Sequence, residues 1–181
     1  MAKLIEFDTE RLLLRQWGDA DPGPLAALNA DPEVMKFYPA PLSRTESDAM
    51  ANRCRSLIAE RGWGLWAAEK KDTHEFIGYV GLHTPASELP FSPCVEVGWR
   101  LAAEHWGKGF ATEAARGALR IGFESLALLE IVSFTSIGNI RSRAVMERLG
   151  MRQTEEYFEH PAIPAGSPLR KHCLYRLSRG Q

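Results

Sequence analysis

Hydrophobic positions change their period several times along the chain, and each change predicts an element. Thr9–Trp17 (TERLLLRQW) alternates loosely, with Leu12 and Leu14 on one face, and reads as a first strand. Asp19 to Asn29 carries Asp and Pro where a first helical turn accepts them, predicting a short helix. Asp31-Pro32 opens a further helical turn, which Pro39-Ala40-Pro41 ends. Ser43-Arg44-Thr45-Glu46 is a capping box. The helix it starts has Met50, Cys54, Leu57 and Ile58 on one stripe, which predicts core packing, and Gly62 closes it. From Trp63 the period falls to two. Trp63–Glu69 and Phe76–His83 flank the polar run KKDTHE and predict a hairpin, after which Pro85–Pro93 interrupts the sheet.

A central strand follows from Cys94 to Leu101, with Val95, Val97, Trp99 and Leu101 on one face and Glu96 and Gly98 between them. Trp106-Gly107-Lys108-Gly109 forms a turn, and Phe110–Ala118 is a helix of small residues. Glu130–Ser136, β-branched and aromatic, reads as a buried strand. Asn139–Leu149 is a short helix closed by Gly150, and Met151–Glu159 pairs with Leu169–Leu177 around HPAIPAGSP. The order is β-α-α-β-β-β-α-β-α-β-β, with no internal repeat or linker.

Strand, glycine turn and helix in succession can make an anion site. Glycines let backbone approach closely, and the first helical amides lack intrahelical partners and carry the positive end of the dipole. An ordinary tight turn fits the same glycine pair.

A chain of 181 residues with 45% hydrophobic content fits one domain over residues 1–181 with a real core. The formal net charge of −1 gives no bulk reason to expect nucleic-acid or membrane partners. Cys54, Cys94 and Cys173 have neither disulfide nor metal spacing, so no metal cofactor is expected. Cys54 belongs to the apolar helix face, where a buried thiol is expected. With no apolar leader or spanning run, the expected address is the reducing cytoplasm.

EVGWRLAAEHWGKGFATEA, Glu96 to Ala114, resembles the acyl-CoA-binding motif of the GNAT superfamily of N-acetyltransferases, Gln/Arg-x-x-Gly-x-Gly/Ala at the start of a helix. Gly107 and Gly109 match the two small positions, whereas Glu104 replaces the usual Gln or Arg. Among the subfamilies, the ribosomal-protein-alanine acetyltransferases are most similar in this stretch. NIRSRAVMERLGM, Asn139 to Met151, resembles the family's second helix motif, matching at Asn139, Ser142 and Gly150. Arg148 replaces its lysine, Met151 its phenylalanine, and Met146 its tyrosine. The resemblance covers nearly the whole chain. It implies an α/β (α+β) GNAT fold, a single mixed and mostly antiparallel twisted sheet of about seven strands flanked by about four helices. The central strands would splay to admit acyl-CoA.

Acetyl-CoA as co-substrate and an amine acceptor, either a protein N-terminus or a small amine, follow from the same resemblance. The cofactor-binding residues would be Val97, Gly98 and Trp99 on the strand edge, Trp106, Gly107, Lys108, Gly109, Phe110 and Ala111 at the pyrophosphate, and Asn139 and Ser142 on the second helix. Asn139 and Ser142 equally suit plain helix capping. For a base, Glu96 stands just before the implied thioester, and a buried carboxylate there would have a raised pKa. His83 has the better intrinsic pKa, and attack by an already neutral amine needs neither. A thioether has no proton to give, so Met146 cannot serve as acid, which leaves Ser142 or water. His105, inside the glycine turn, is expected at the surface.

Two other functions compete: a non-catalytic acyl-CoA-binding sensor on the same fold, and a Rossmann-type dinucleotide enzyme. The mid-chain position of the glycines, without repeated βαβ units, disfavours the second. Three loops, Asp31–Pro41, Pro85–Pro93 and His160–Pro168, are expected to build the acceptor pocket, and the chain to act as a monomer or homodimer.

Overall fold

The computed structural model describes residues 2–180. Its strands are β1 Phe7–Asp8, β2 Leu12–Arg15, β3 Leu65–Lys70, β4 Phe76–His83, β5 Glu96–Leu101, β6 Glu130–Ser136, β7 Arg152–Glu159 and β8 Lys171–Ser178. The α-helices are α1 Pro22–Ala30, α2 Arg44–Arg61, α3 Phe110–Arg120 and α4 Ile140–Arg148. A single 3-10 turn at Ala103–His105 precedes α3, and a π-helical turn at Ile121–Ser125 follows it.

One sheet of eight strands runs in the order β1-β2-β3-β4-β5-β6-β8-β7. Every neighbouring pair is antiparallel except β5 with β6. This is the GNAT fold expected from the sequence, with one strand more. The extra strand, Phe7–Asp8, lies just before the expected Thr9–Trp17 run, which itself shortens to Leu12–Arg15. Thr9 N bonds Leu12 O at 2.8 Å and Leu12 N returns to Thr9 Oγ1 at 3.1 Å, a tight turn that joins β1 to β2.

The helices begin where local chemistry satisfies their ends. At α2 the capping box forms in both directions, Glu46 N to Ser43 Oγ at 3.3 Å and Ser43 N to Glu46 Oε2 at 2.7 Å. Such a cap contributes about 1 kcal/mol. Helix α1 starts at Pro22, not Asp19, and Asp21 does not cap it. Its carboxylate accepts instead from Gly18 N and from Arg15, both at 2.7 Å. In α3 the fully buried Ala114, Ala115 and Ala118 let the helix lie directly on β4 and β5. The core between these layers is held by Leu12, Leu14, Ile58, Trp66, Leu82, Val97 and Ile131, all fully buried, and each contributes about 1.5–3 kcal/mol.

The β5–β6 seam positions everything that follows. Strand β5 pairs with β4 along its whole length, Gly78↔Leu101 through His83↔Glu96, and β6 pairs with β8 from Glu130 to Ser136. Between β5 and β6 the register holds at one pair alone, Glu96↔Val132. Val132 N reaches Val95 O at 2.9 Å, and Ser133 then spends its side-chain hydroxyl on Val97 O, also at 2.9 Å. A side chain thus stands where the next backbone link of the ladder would form. The sheet opens beyond it.

Candidate active site

A cavity of about 390 Å³ fills the opening. Alternation along β5 sends Glu96, Gly98 and Arg100 to the face covered by α1 and α2, opposite the Val97 and Leu101 face buried under α3. Across the ladder, His83 stands opposite Glu96 and Tyr79 opposite Arg100. All five of Tyr79, His83, Glu96, Gly98 and Arg100 line the cavity.

The two candidate bases form one unit. His83 Nε2 lies 2.9 Å from Glu96 Oε2. Burial pushes the His83 pKa down, but the charge of Glu96 and its hydrogen bond outweigh burial and hold it above the ordinary value. From the closing hairpin, His160 and His172 join the same wall, their rings 5.1 Å apart. Burial lowers the pKa of His160 and takes His172 down to about 4, so both are neutral near pH 7. His83 is therefore the cavity imidazole tuned toward protonation.

Helix α4 supplies the facing wall through Asn139, Ser142 and Met146. Asn139 caps the helix: its Oδ1 accepts from Ser142 N at 3.3 Å, while Nδ2 donates to Thr135 Oγ1 at 3.0 Å and Ser142 Oγ at 3.2 Å. Ser142 Oγ is an acceptor in that bond, so its own proton is left to give. Met146 is fully buried beside it, a thioether in the position of the missing phenol.

At the far end of β5 stands the glycine turn. Gly107 has φ +72° and Gly109 φ +82°, backbone that L side chains rarely adopt. A Cβ on Gly107 would meet nothing within 4 Å, so the space in front of α3 is open. The first intrahelical amide bond runs from Glu113 N to Gly109 O at 3.0 Å, which leaves the preceding amides without helical acceptors. Cations gather here. The Arg141 guanidinium stacks 3.7 Å from the Trp106 ring centre, Arg11 lies 4.4 Å from that of Phe110, and Lys108 is exposed in the turn itself. Free amides, the helix dipole and basic side chains fit a phosphate or pyrophosphate.

The structure thus gathers Glu96, His83, Gly98, Trp99, Asn139 and Ser142 around one cavity, and holds Trp106 to Ala111 as a separate turn beyond it. Several expectations change. Val97 is not a free edge group, because its side chain is buried and its carbonyl is taken by Ser133. His105 is buried rather than at the surface: its ring packs 6.2 Å from Phe110 and its Nε2 lies 3.5 Å from Glu75. Met50 packs against the core as expected and also lines the cavity. Of the three loops, Phe37–Pro39 and His160–Ile163 contribute walls, whereas Pro85–Pro93 does not. Phe91 from that loop instead packs behind the wall against Phe134 and Phe158. Arg100 escaped the sequence analysis although the Glu96, Gly98 alternation points to it. Arg141 carries no comparable signal, since its place over Trp106 depends on the packing of α4 beside α3.

Residues 11–152 match the acetyltransferase (GNAT) domain family. The chain is 34% identical over 161 residues to an FsC-acetyl coenzyme A-N(2)-transacetylase of Aspergillus fumigatus, covering 84% of this chain and 67% of that one. It is 31% identical over 165 residues to the uncharacterized N-acetyltransferase YnaD of Bacillus subtilis, covering 90% and 91% of the two chains. A crystal structure of an acetyltransferase from Agrobacterium tumefaciens superposes with a TM-score of 0.77 at 28% identity, over 99% of this chain and 97% of that one. With the splayed β5–β6 seam, the glycine turn and these relatives together, the chain belongs to the GNAT family and is an acyltransferase of the N-acetyltransferase type.

Proposed function

We propose that the protein moves an acetyl group from acetyl-CoA to a primary amine, on a small molecule or a protein N-terminus, inside the cleft between β5 and β6. The observation that carries this is the single-register β5–β6 pairing, which leaves a cavity holding the His83–Glu96 pair on one wall and Ser142 on the other. The name of the fungal relative, an acetyl coenzyme A N(2)-transacetylase, supports nitrogen as the acceptor atom.

Each residue then has a task its surroundings suit. Amides from Gly107 into the first turn of α3 hold the pyrophosphate, with Lys108 and Arg141 adding charge. Edge groups of Gly98 and Trp99 bond the pantetheine arm as an added strand would. Bound there, acetyl-CoA supplies the activated acetyl group. His83, poised by Glu96, takes the proton released as the C–N bond forms, directly or through one water. Ser142 gives its hydroxyl proton toward the sulfur as the C–S bond breaks and regains one from solvent. A non-catalytic sensor would need neither the His83–Glu96 pair nor a free hydroxyl proton facing it.

Release of the CoA thiol from acetyl-CoA, measured with a panel of amines and their matching alcohols, tests the proposal. Turnover with amines and not with alcohols is expected. Acetylation of alcohols but of no amine would overturn it.

A further inference from the structure

One charge in the cavity has no counter-charge. Arg100 is 9% exposed, and no carboxylate of the described residues lies within ion-pair distance of it. Its Nη1 donates to Asn29 Oδ1 at 2.7 Å and lies 4.0 Å from Met50 Sδ. The rings of Tyr38 and Tyr79 flank the guanidinium at 4.1 Å and 5.4 Å. Its Nε is buried and has no hydrogen-bond partner at all. The other well-sheltered arginine of this sheet is treated differently: Arg15 pairs with Asp21 at 2.7 Å and Glu69 at 2.6 Å. Burying a charge with one neutral acceptor and one idle donor is costly, and such a group stays in place when a ligand completes it.

The charge and shape of this guanidinium select the ligand. Arg100 lines the cavity with its charge unpaired and only Nη1 committed, to Asn29, and a planar guanidinium matches the two oxygens of a planar carboxylate. Its position selects the substrate over the cofactor. Arg100 is embraced by Asn29 of α1, Met50 of α2 and Tyr38, remote along the chain from the glycine turn and from α4. Glu96 lies four residues away on the same strand face, about 13 Å between Cα atoms. Resting on the acetyltransferase reading above, we infer that the acceptor is an amino acid-like molecule: its amine meets His83 and Glu96 while its carboxylate is bound by Arg100.

The test is a matched panel at saturating acetyl-CoA. ω-Amino acids from glycine to aminohexanoate and the common α-amino acids are each compared with their amide and their decarboxylated amine. For at least one member, kcat/KM of the acid should exceed that of its amide by about tenfold or more, the worth of one hydrogen bond between charged groups. Arg100→Gln should bring that ratio close to one, and Arg100→Lys, which keeps the charge without the fork, should restore part of it. Peptides with an acidic second residue form a separate arm, and a preference for them would place the carboxylate on a peptide side chain. Calorimetry of the N-acetylated acids against the N-acetylated amides reads the same preference without turnover and needs no variant. Equal or better performance of amides and decarboxylated amines, or a preference for aminophosphonates, would overturn the inference and leave the acetyltransferase reading standing. No turnover of any amine would sink that reading instead, and the calorimetric ratio would still decide for or against Arg100.

Discussion

Gly107 and Gly150 are near twins in backbone and in surroundings. Their φ values are +72° and +80°, and an added Cβ at either would meet nothing within 4 Å. Alanine at each position therefore costs only the left-handed backbone, about 1–2 kcal/mol. For a chain of this size that is a fall in Tm of roughly 2–8 °C. What differs is the location. Gly107 stands before the free amides of α3, where a methyl group would enter the space a pyrophosphate needs. Gly150 follows the end of α4, eight residues beyond Ser142 and about 12 Å along the helix direction. If Gly107→Ala removes one charge-assisted amide contact, the loss is about 1.5–3 kcal/mol, roughly 10- to 150-fold in the Kd for acetyl-CoA. Gly150→Ala should leave that Kd within about twofold while losing the same stability. Calorimetric titration with acetyl-CoA, alongside thermal denaturation of both variants, makes the comparison. Equal stability losses with equal affinities would refute the placement of the pyrophosphate on this turn.

Two further outcomes follow from the cavity walls. In Glu96→Gln the charge that raises the His83 pKa is gone and burial is the largest remaining influence, so the acid limb of kcat/KM should move to lower pH; an unmoved limb would separate His83 from catalysis. Ser142→Ala should lower kcat about tenfold with the acetyl-CoA Kd nearly unchanged, and the reverse pattern would make Ser142 a cofactor contact. Met146→Tyr should gain little, because Met146 is fully buried and a larger side chain there costs about 1–3 kcal/mol of repacking.

Local signals were legible in the sequence, and long-range closures were not. Strands β4 and β6 fall where their patterns place them, Phe76–His83 and Glu130–Ser136, because period-two runs bounded by turns need no distant partner. The α2 cap and the Gly107–Gly109 turn are likewise written within a few residues. The turn between β1 and β2 is different. Thr9 is also fixed by Glu113, whose carboxylate accepts its hydroxyl at 2.6 Å from 104 residues away. His105 reads as exposed in its own turn, yet Phe110 and Glu75 cover it in the fold. The separate candidates His83 and Glu96 become one pair only through the β4–β5 register, which no spacing within either strand reveals. Arg100 is the hardest case. Its significance lies in the carboxylate it lacks, and Asn29, Met50, Tyr38 and Tyr79 come from four segments to leave it so.

The central claim, catalysed transfer of acetyl from acetyl-CoA to an amine in the β5–β6 cleft, is tested most directly by mass balance with isotopically labelled acetyl-CoA. Wild-type protein and the His83→Ala variant are incubated with the same amines, and both the labelled amide and the free CoA thiol are quantified. The account predicts one amide formed per thiol released, with a rate reduced about 100-fold or more in His83→Ala while acetyl-CoA binding persists. Saturable binding of acetyl-CoA by the wild type with no labelled amide formed, or amide formation at the same rate in His83→Ala, would contradict it.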